Sequence, residues 1–277
     1  RKGETDELIE RWNSGLIEQF NAGKGLSQKE MRVNMERIVA DFAAIERSHE
    51  KKTRVGIVGE IYVKYSPLGN NRLEEFLRTQ DCEYMLPGLM GFILFKIDNR
   101  IEDIKLYGGN PFKKFFCSFL KKYVQKMERM LIESISTCPD FVPPSAFEHT
   151  KSLVRDVIGY GCKMGEGWLL TAEMLELAEN GYENIICAQP FGCLPNHIAG
   201  KGMIRRLTQV HPGINIVPID YDLSATKVNQ ENRIRLMLAV AGDALKKKQQ
   251  QELLIAQDEA AARNCGGDCE ACRKHAG

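Results

Sequence analysis

No apolar run in this chain approaches the roughly 20 residues needed to span a bilayer. The longest, Tyr84–Phe95, is broken by Pro87, Gly88 and Gly91, so a buried strand or helix is expected there and no membrane segment. No secretory leader is expected at this start either, because Arg1, Lys2, Gly3 and Glu4 have no apolar region behind them. The chain also lacks an initiator Met and is expected to be a fragment of something longer. Neither charge sign is in excess. Lys plus Arg is 38 and Asp plus Glu is 37, which removes any global electrostatic reason to bind nucleic acid. The P-loop pattern G-x-x-x-x-G-K-[ST] is absent, and with it P-loop NTP hydrolysis. G-x-S-x-G is absent too, so a hydrolase elbow has no support.

Cysteine is plentiful, but nothing points to a disulfide framework. Cys82, Cys117 and Cys138 read as structural, and Cys187 falls inside a predicted strand. Cys265, Cys269, Cys272 and His275 close the chain in a glycine-rich tail. Their spacing suits a metal site or a solvated, oxidation-prone tail equally well.

Hydrophobic residues at 43% supply enough material for a packed core. Three regions are expected: a helical N-terminal arm over 1–51, an α/β domain over 52–247, and a helical extension with the cysteine-rich tail over 248–277. In the arm, Leu8, Ile9, Trp12, Leu16, Ile17 and Phe20 recur at helical spacing. Ser27 and Glu30 form a capping-box pattern that opens a second helix. Val55–Tyr62, a strand near Glu83–Pro87, Ile185–Ala188 and Ile214–Ile219 read as strands. Helices are expected over Arg72–Thr79, Phe112–Ser136, from a second capping box at Ser145–Glu148 to about Ile158, over Trp168–Asn180, from about 197 to Val210, and over Lys227–Lys247. In Trp168–Asn180, Leu170, Met174, Leu177 and Ala178 mark the buried face, with Glu173, Glu176 and Glu179 away from it. Alternating strands and helices predict a Rossmann-like parallel sheet with helices on both faces, preceded by the helical arm.

In such a sheet, ligands bind beyond the carboxyl ends of the strands. Three unusual loops belong to that edge: Gly59–Asn71, Gly159–Gly167 and Gln189–Gly202. In the second, Met164 stands where G-x-G-x-x-G requires glycine, and the loop follows a helix, which argues against a dinucleotide fingerprint. Gly165 and Gly167 flank Glu166 ahead of a helix. Glu166 is either a site carboxylate that moves protons or orients a ligand, or a helix-start residue favoured by the macrodipole. Cys193 sits between a strand and a helix start, where thiolate is favoured. His197 lies four residues on. The bland alternative is a buried turn cysteine with a polar helix-end histidine. Cys162 is the next candidate thiol.

Gly59-Glu60-Ile61-Tyr62-Val63 with Pro67 and Asn70-Asn71, Gly165-Glu166-Gly167-Trp168-Leu169, and Gln189-Pro190-Phe191-Gly192-Cys193-Leu194-Pro195-Asn196-His197 carry a family likeness. Over about residues 1–245 the chain resembles the C-terminal dehydratase-like module of proteins related to 2-hydroxyglutaryl-CoA dehydratase and its activase. The resemblance implies a [4Fe–4S] cluster to which Cys193 contributes a ligand. It implies Glu166 as the catalytic carboxylate and Gly165, Gly167, Asn196 and His197 as cofactor-binding residues. Further ligands and the ATPase would come from upstream activase and dehydratase-like domains of the same cytoplasmic protein. ATP-driven, low-potential electron transfer and a CoA-ester substrate follow from the same likeness. A non-catalytic scaffold, or a CoA-ester-binding domain without redox chemistry, remains the alternative.

Overall fold

The computed structural model describes residues 3–48, 50–222 and 226–264. Four strands form one parallel sheet: β1 (Thr53–Gly59), β2 (Cys82–Met85), β3 (Asn184–Pro190) and β4 (Asn215–Tyr221), in the order β2-β1-β3-β4. The central pair runs in register from Val55 opposite Asn184 to Gly59 opposite Ala188. These two strands are apolar on both faces, as a parallel strand covered by helices on either side must be.

Alternate residues divide the core in two. On one face Val58, Ile185 and Cys187 pack under α5 (Leu89–Tyr107), α7 (Phe147–Ser152), α8 (Gly167–Glu179) and α10 (Ile204–Val210). Helix α8 presses so closely on β1 that a Cβ on Gly56 would lie 2.7 Å from Leu177 Cδ1. Trp168 centres this side, edge-on to Phe95 at 5.1 Å and Tyr160 at 5.4 Å between ring centroids. On the other face Val55, Ile57, Ile186, Ala188 and Ile219 pack against α3 (Ile61–Tyr65), α4 (Leu73–Thr79) and α11 (Lys227–Asn264).

The helical arm is α1 (Glu4–Asn21) and α2 (Gln28–Ala43), joined through Trp12 Nε1 to Asp41 at 2.9 Å. Ser27 and Glu30 form the expected capping box. Helix α2 packs on the far half of α6 (Pro111–Ile135), which lies antiparallel to α5. The last helix, α11, continues through residues 248–264, and the tail with Cys265, Cys269, Cys272 and His275 lies outside the described residues.

The structure corrects several expected boundaries. Strand β1 stops at Gly59, because Glu60 turns the chain and caps α3 through its carboxylate on the Val63 amide at 2.9 Å. The long helix α5 was unread behind Pro87 and Gly88. The second capping box does not form. The Ser145 amide donates to Glu176 at 2.9 Å, and the Glu148 carboxylate turns to Gln125 and Lys121. Helix α7 accordingly ends at Ser152, short of Ile158. The helix expected to reach Val210 is split into α9 (Leu194–Ala199), a 3-10 turn and α10, with the break at Gly200. Glu173 and Glu176 are not on a solvated face; Glu173 is buried at 5% exposure.

Candidate functional site at the switch between β1 and β3

Strand order β2-β1-β3-β4 means that the chain leaves β1 toward one side and β3 toward the other. Their carboxyl ends therefore form the switch point at which open α/β sheets bind ligands. The three loops singled out above meet there. Glu166, which precedes α8, accepts the Ile61 amide at 3.3 Å on one oxygen and the Asn196 side-chain amide at 3.1 Å on the other. It makes no side-chain cap on its own helix. Both carboxylate oxygens are thus committed to the two neighbouring loops, and Glu166 is nearly buried.

Asn196 links this carboxylate to sulfur. Its amide nitrogen also donates to Cys193 Sγ at 3.2 Å. The side chain is fully buried, and its Oδ1 has no hydrogen-bond partner among the described residues. Pointing the nitrogen at both a carboxylate and a sulfur is the orientation that avoids setting oxygen against oxygen. Cys193 itself is half-buried at the N-cap of α9, with Pro195 inside the first turn. The sulfur therefore has the Asn196 amide as a hydrogen-bond donor and the start of α9 behind it.

Around this line lies a second set of polar groups. Gln189, next to last in β3, is fully buried. Its Nε2 donates to Asp220 on β4 at 2.6 Å and lies 3.0 Å from His197 Nδ1. The Gly192 amide donates to His197 Nε2 at 3.2 Å. His197 thus sits against the turn that presents Cys193, and a neutral imidazole can accept from only one of these two donors. Lys96 of α5 donates to the Gly165 carbonyl at 2.7 Å. Burial lowers the Lys96 pKa, partly opposed by the nearby Glu166 carboxylate.

The glycines beside Glu166 serve local fit. A Cβ on Gly167 would stand 2.3 Å from the Cys162 carbonyl oxygen, and one on Gly165 would stand 3.1 Å from Pro195. Cys162 is half-buried, and burial pushes its thiol up. Cys187 lies in the core, where burial and then the Asp220 charge push its thiol up to about 12. It stays protonated at neutral pH. Gln189, Asp220 and Lys96 were not found by sequence reasoning. Their partners lie on other strands or loops, and no local spacing signals them. Nor does spacing reveal the buried pair of Lys64 and Glu173 behind Glu166, with Nζ 3.3 and 3.4 Å from the two carboxylate oxygens. No family model, curated protein or solved structure matches this chain.

The Glu166 contacts make a first prediction. In Glu166→Gln one carboxylate oxygen becomes an NH2 group, which must face either the Ile61 amide or the Asn196 amide, donor against donor. Thermal or urea denaturation should show a loss of about 1–3 kcal/mol, the usual penalty for an unsatisfied buried group. Unchanged stability would mean that these hydrogen bonds contribute nothing.

Proposed function

We propose that this chain is an iron–sulfur redox module of a 2-hydroxyacyl-CoA dehydratase- or activase-related protein, and that Cys193 is the cluster ligand it supplies. The observation that carries the reading is the Glu166–Asn196–Cys193 line. It places a half-buried sulfur at the sheet's switch point, with a buried amide donor on Sγ and a helix start behind it. Hydrogen bonds to cluster sulfurs and ligands are among the levers by which a protein sets cluster potential.

On this reading the cluster site is shared with other domains. Among the described residues no group of three or more His, Cys, Asp and Glu side chains is arranged to hold a metal ion. Cys193 therefore fits one corner of a [4Fe–4S] cluster, which would supply one-electron chemistry when bound. The other ligands, the ATPase and the CoA-ester site belong to upstream domains of the same cytoplasmic polypeptide. Here Glu166 and Asn196 position the sulfur, His197 and Gln189 stiffen its turn, and Gly165 and Gly167 let the Glu166 loop close on Pro195. No helix among the described residues is long and apolar enough to cross a membrane.

The test is iron and sulfide content of the full-length polypeptide, purified anaerobically, with circular dichroism as the check on folding. Cys193→Ala should lose most of its iron and visible colour while remaining folded. Cys187→Ala should keep its iron and lose about 1 kcal/mol of stability, as for a typical point substitution. Full iron in folded Cys193→Ala would overturn the assignment and favour a scaffold or a CoA-ester-binding domain without redox chemistry.

A further inference from the structure

Helix α6 is built inside out over its first half. Phe112, Phe115, Phe116, Phe119 and Tyr123 follow one another at i, i+3, i+4, i+7 and i+11, the spacing of a single helix face. That face is turned to solvent: the rings are 77%, 71%, 60%, 65% and 46% exposed. The opposite side carries the charges inward. Lys121 pairs with Asp98 of α5 at 2.6 Å, and Glu128 accepts the Phe147 amide at 2.9 Å. A soluble helix normally does the reverse. A contiguous exposed aromatic stripe of this kind marks a surface that is covered by something.

Two features say what covers it. The first is charge. Lys113, Lys114, Lys122 and Lys126 stand on this half of the helix with no acidic residue between 111 and 127. A parallel copy of the helix would set Lys122 and Lys126 against themselves. An antiparallel copy centred on Phe119 does not. It brings Phe119 onto Phe119, Phe115 onto Tyr123, Phe116 onto Lys122 and Phe112 onto Lys126, which are ring pairs and cations over rings. The stripe is self-complementary in that one orientation, as an isologous interface requires. A flat anionic membrane would call for lysines along both flanks. Lys126 instead lies within the stripe, beyond Phe119, and interrupts a flat apolar face.

The second feature is shape. At the far end of the stripe, where the copy's Phe112 would arrive, α2 and α6 leave a groove of about 350 Å³. Its walls are Gln28, Lys29, Arg32 and Lys126, and its floor is Met127 and Met130. Phe112 is the most exposed ring of the stripe, and a methionine floor accommodates an aromatic ring well. Five rings at these exposures offer on the order of 600 Å² per partner, the low end of specific interfaces.

We propose that this protein forms a two-fold dimer through antiparallel pairing of α6, with Phe112 of each copy seated in the α2–α6 groove of the other. The inference is independent of the cluster assignment. Sedimentation velocity of the intact protein, over a range on the order of 1 to 100 µM, should show a concentration-dependent monomer–dimer equilibrium. Phe119→Lys, at the two-fold axis, and Phe112→Lys, at the groove, should each weaken it about 30-fold or more, as for loss of an interface anchor. Both sites are exposed in the monomer, so circular dichroism should be unchanged. Leu68→Lys, at an exposed site on the α3–α4 loop, should leave the equilibrium as it was. A monomer at every concentration overturns the proposal. So does a dimer that survives both stripe variants. A monomer that instead sediments with phosphatidylserine-containing vesicles, and loses that with Phe119→Lys, assigns the stripe to a membrane surface and overturns the dimer.

Discussion

Lys64→Met should cost the fold about 3–5 kcal/mol, the penalty for leaving one member of a buried ion pair without its partner. Lys64 and Glu173 are 3% and 5% exposed. Lys64 sits on the short helix after β1, and Glu173 lies in the middle of α8, on the sheet face opposite α4 and α11. Burial works against the Lys64 ammonium, but the charge and hydrogen bond of Glu173, together with Tyr65, outweigh it and hold the lysine above its ordinary pKa. Burial also raises the Glu173 carboxyl, with Lys64 opposing. Removing Lys64 leaves the burial and the nearby Glu176 and Glu166 charges, all of which raise the carboxyl. The variant can then fold only by protonating Glu173 or by burying a bare carboxylate.

The pH dependence follows from the direction of that shift. A carboxyl raised in the folded state binds its proton more tightly there than in the unfolded chain. Its contribution is fully present below the ordinary glutamate value and is lost as pH rises through the folded pKa. The deficit of Lys64→Met against the parent should therefore be small near pH 4.5 and grow toward neutrality. Urea denaturation at pH 5 and pH 8 would measure it. Lys64→Met combined with Glu173→Leu should recover most of the loss, since an apolar pair carries no desolvation cost. An equal deficit at both pH values would show that packing, not charge, is what Lys64 contributes.

Glu173 also shows where sequence reading stops. The apolar periodicity of Trp168–Asn180 marks one face as buried and places the glutamates outside it. The helix is in fact enclosed almost all round, and its glutamates are met by residues distant in the chain: Lys64 for Glu173, and Ser145 with Thr150 for Glu176. The two capping boxes make the same point. Ser27 and Glu30 lie on an exposed turn with nothing competing for them, so the local pattern decides. Ser145 and Glu148 have the same spacing, yet Glu176 takes the amide and Lys121 and Gln125 take the carboxylate. Strands β1 and β3 were legible because burial on both faces writes an unbroken apolar run. The meeting of the three loops was legible because sheet topology sends them to one edge. The residues that tie that edge together across strands, Gln189 with Asp220, were not, because such contacts exist only once the sheet has formed.

Gly59→Ala should be at least as damaging, because it strikes where the sheet and the site join. Gly59 ends β1 with φ at +149°, outside the range that side-chain-bearing residues adopt readily. A Cβ there would lie 1.8 Å from the Ala188 carbonyl oxygen and 2.7 Å from its carbon. Both atoms are backbone of the central strand β3 and cannot swing aside. The same oxygen accepts the Glu60 amide at 3.1 Å, the bond that holds the start of α3 against β3. Relief requires parting β1 from β3 at their carboxyl ends. That parting carries away Glu60, α3 and the Ile61 amide on which Glu166 rests. A loss of about 4 kcal/mol or more is expected, in the range reserved for such overpacking and backbone strain. Two other glycines separate the contributions. Gly192 also has positive φ, at +78°, but open space around its Cβ position, so Gly192→Ala should cost only about 1–2 kcal/mol of backbone strain. Gly88 has ordinary φ and equally open space, so Gly88→Ala should cost only about 0.5 kcal/mol, the loss of a better N-cap residue at α5. Urea denaturation of the three variants should rank them in that order. If Gly59→Ala is no worse than Gly192→Ala, strands β1 and β3 are not held together at the switch point as tightly as their register implies, and the Glu166–Asn196–Cys193 line loses its rigid support.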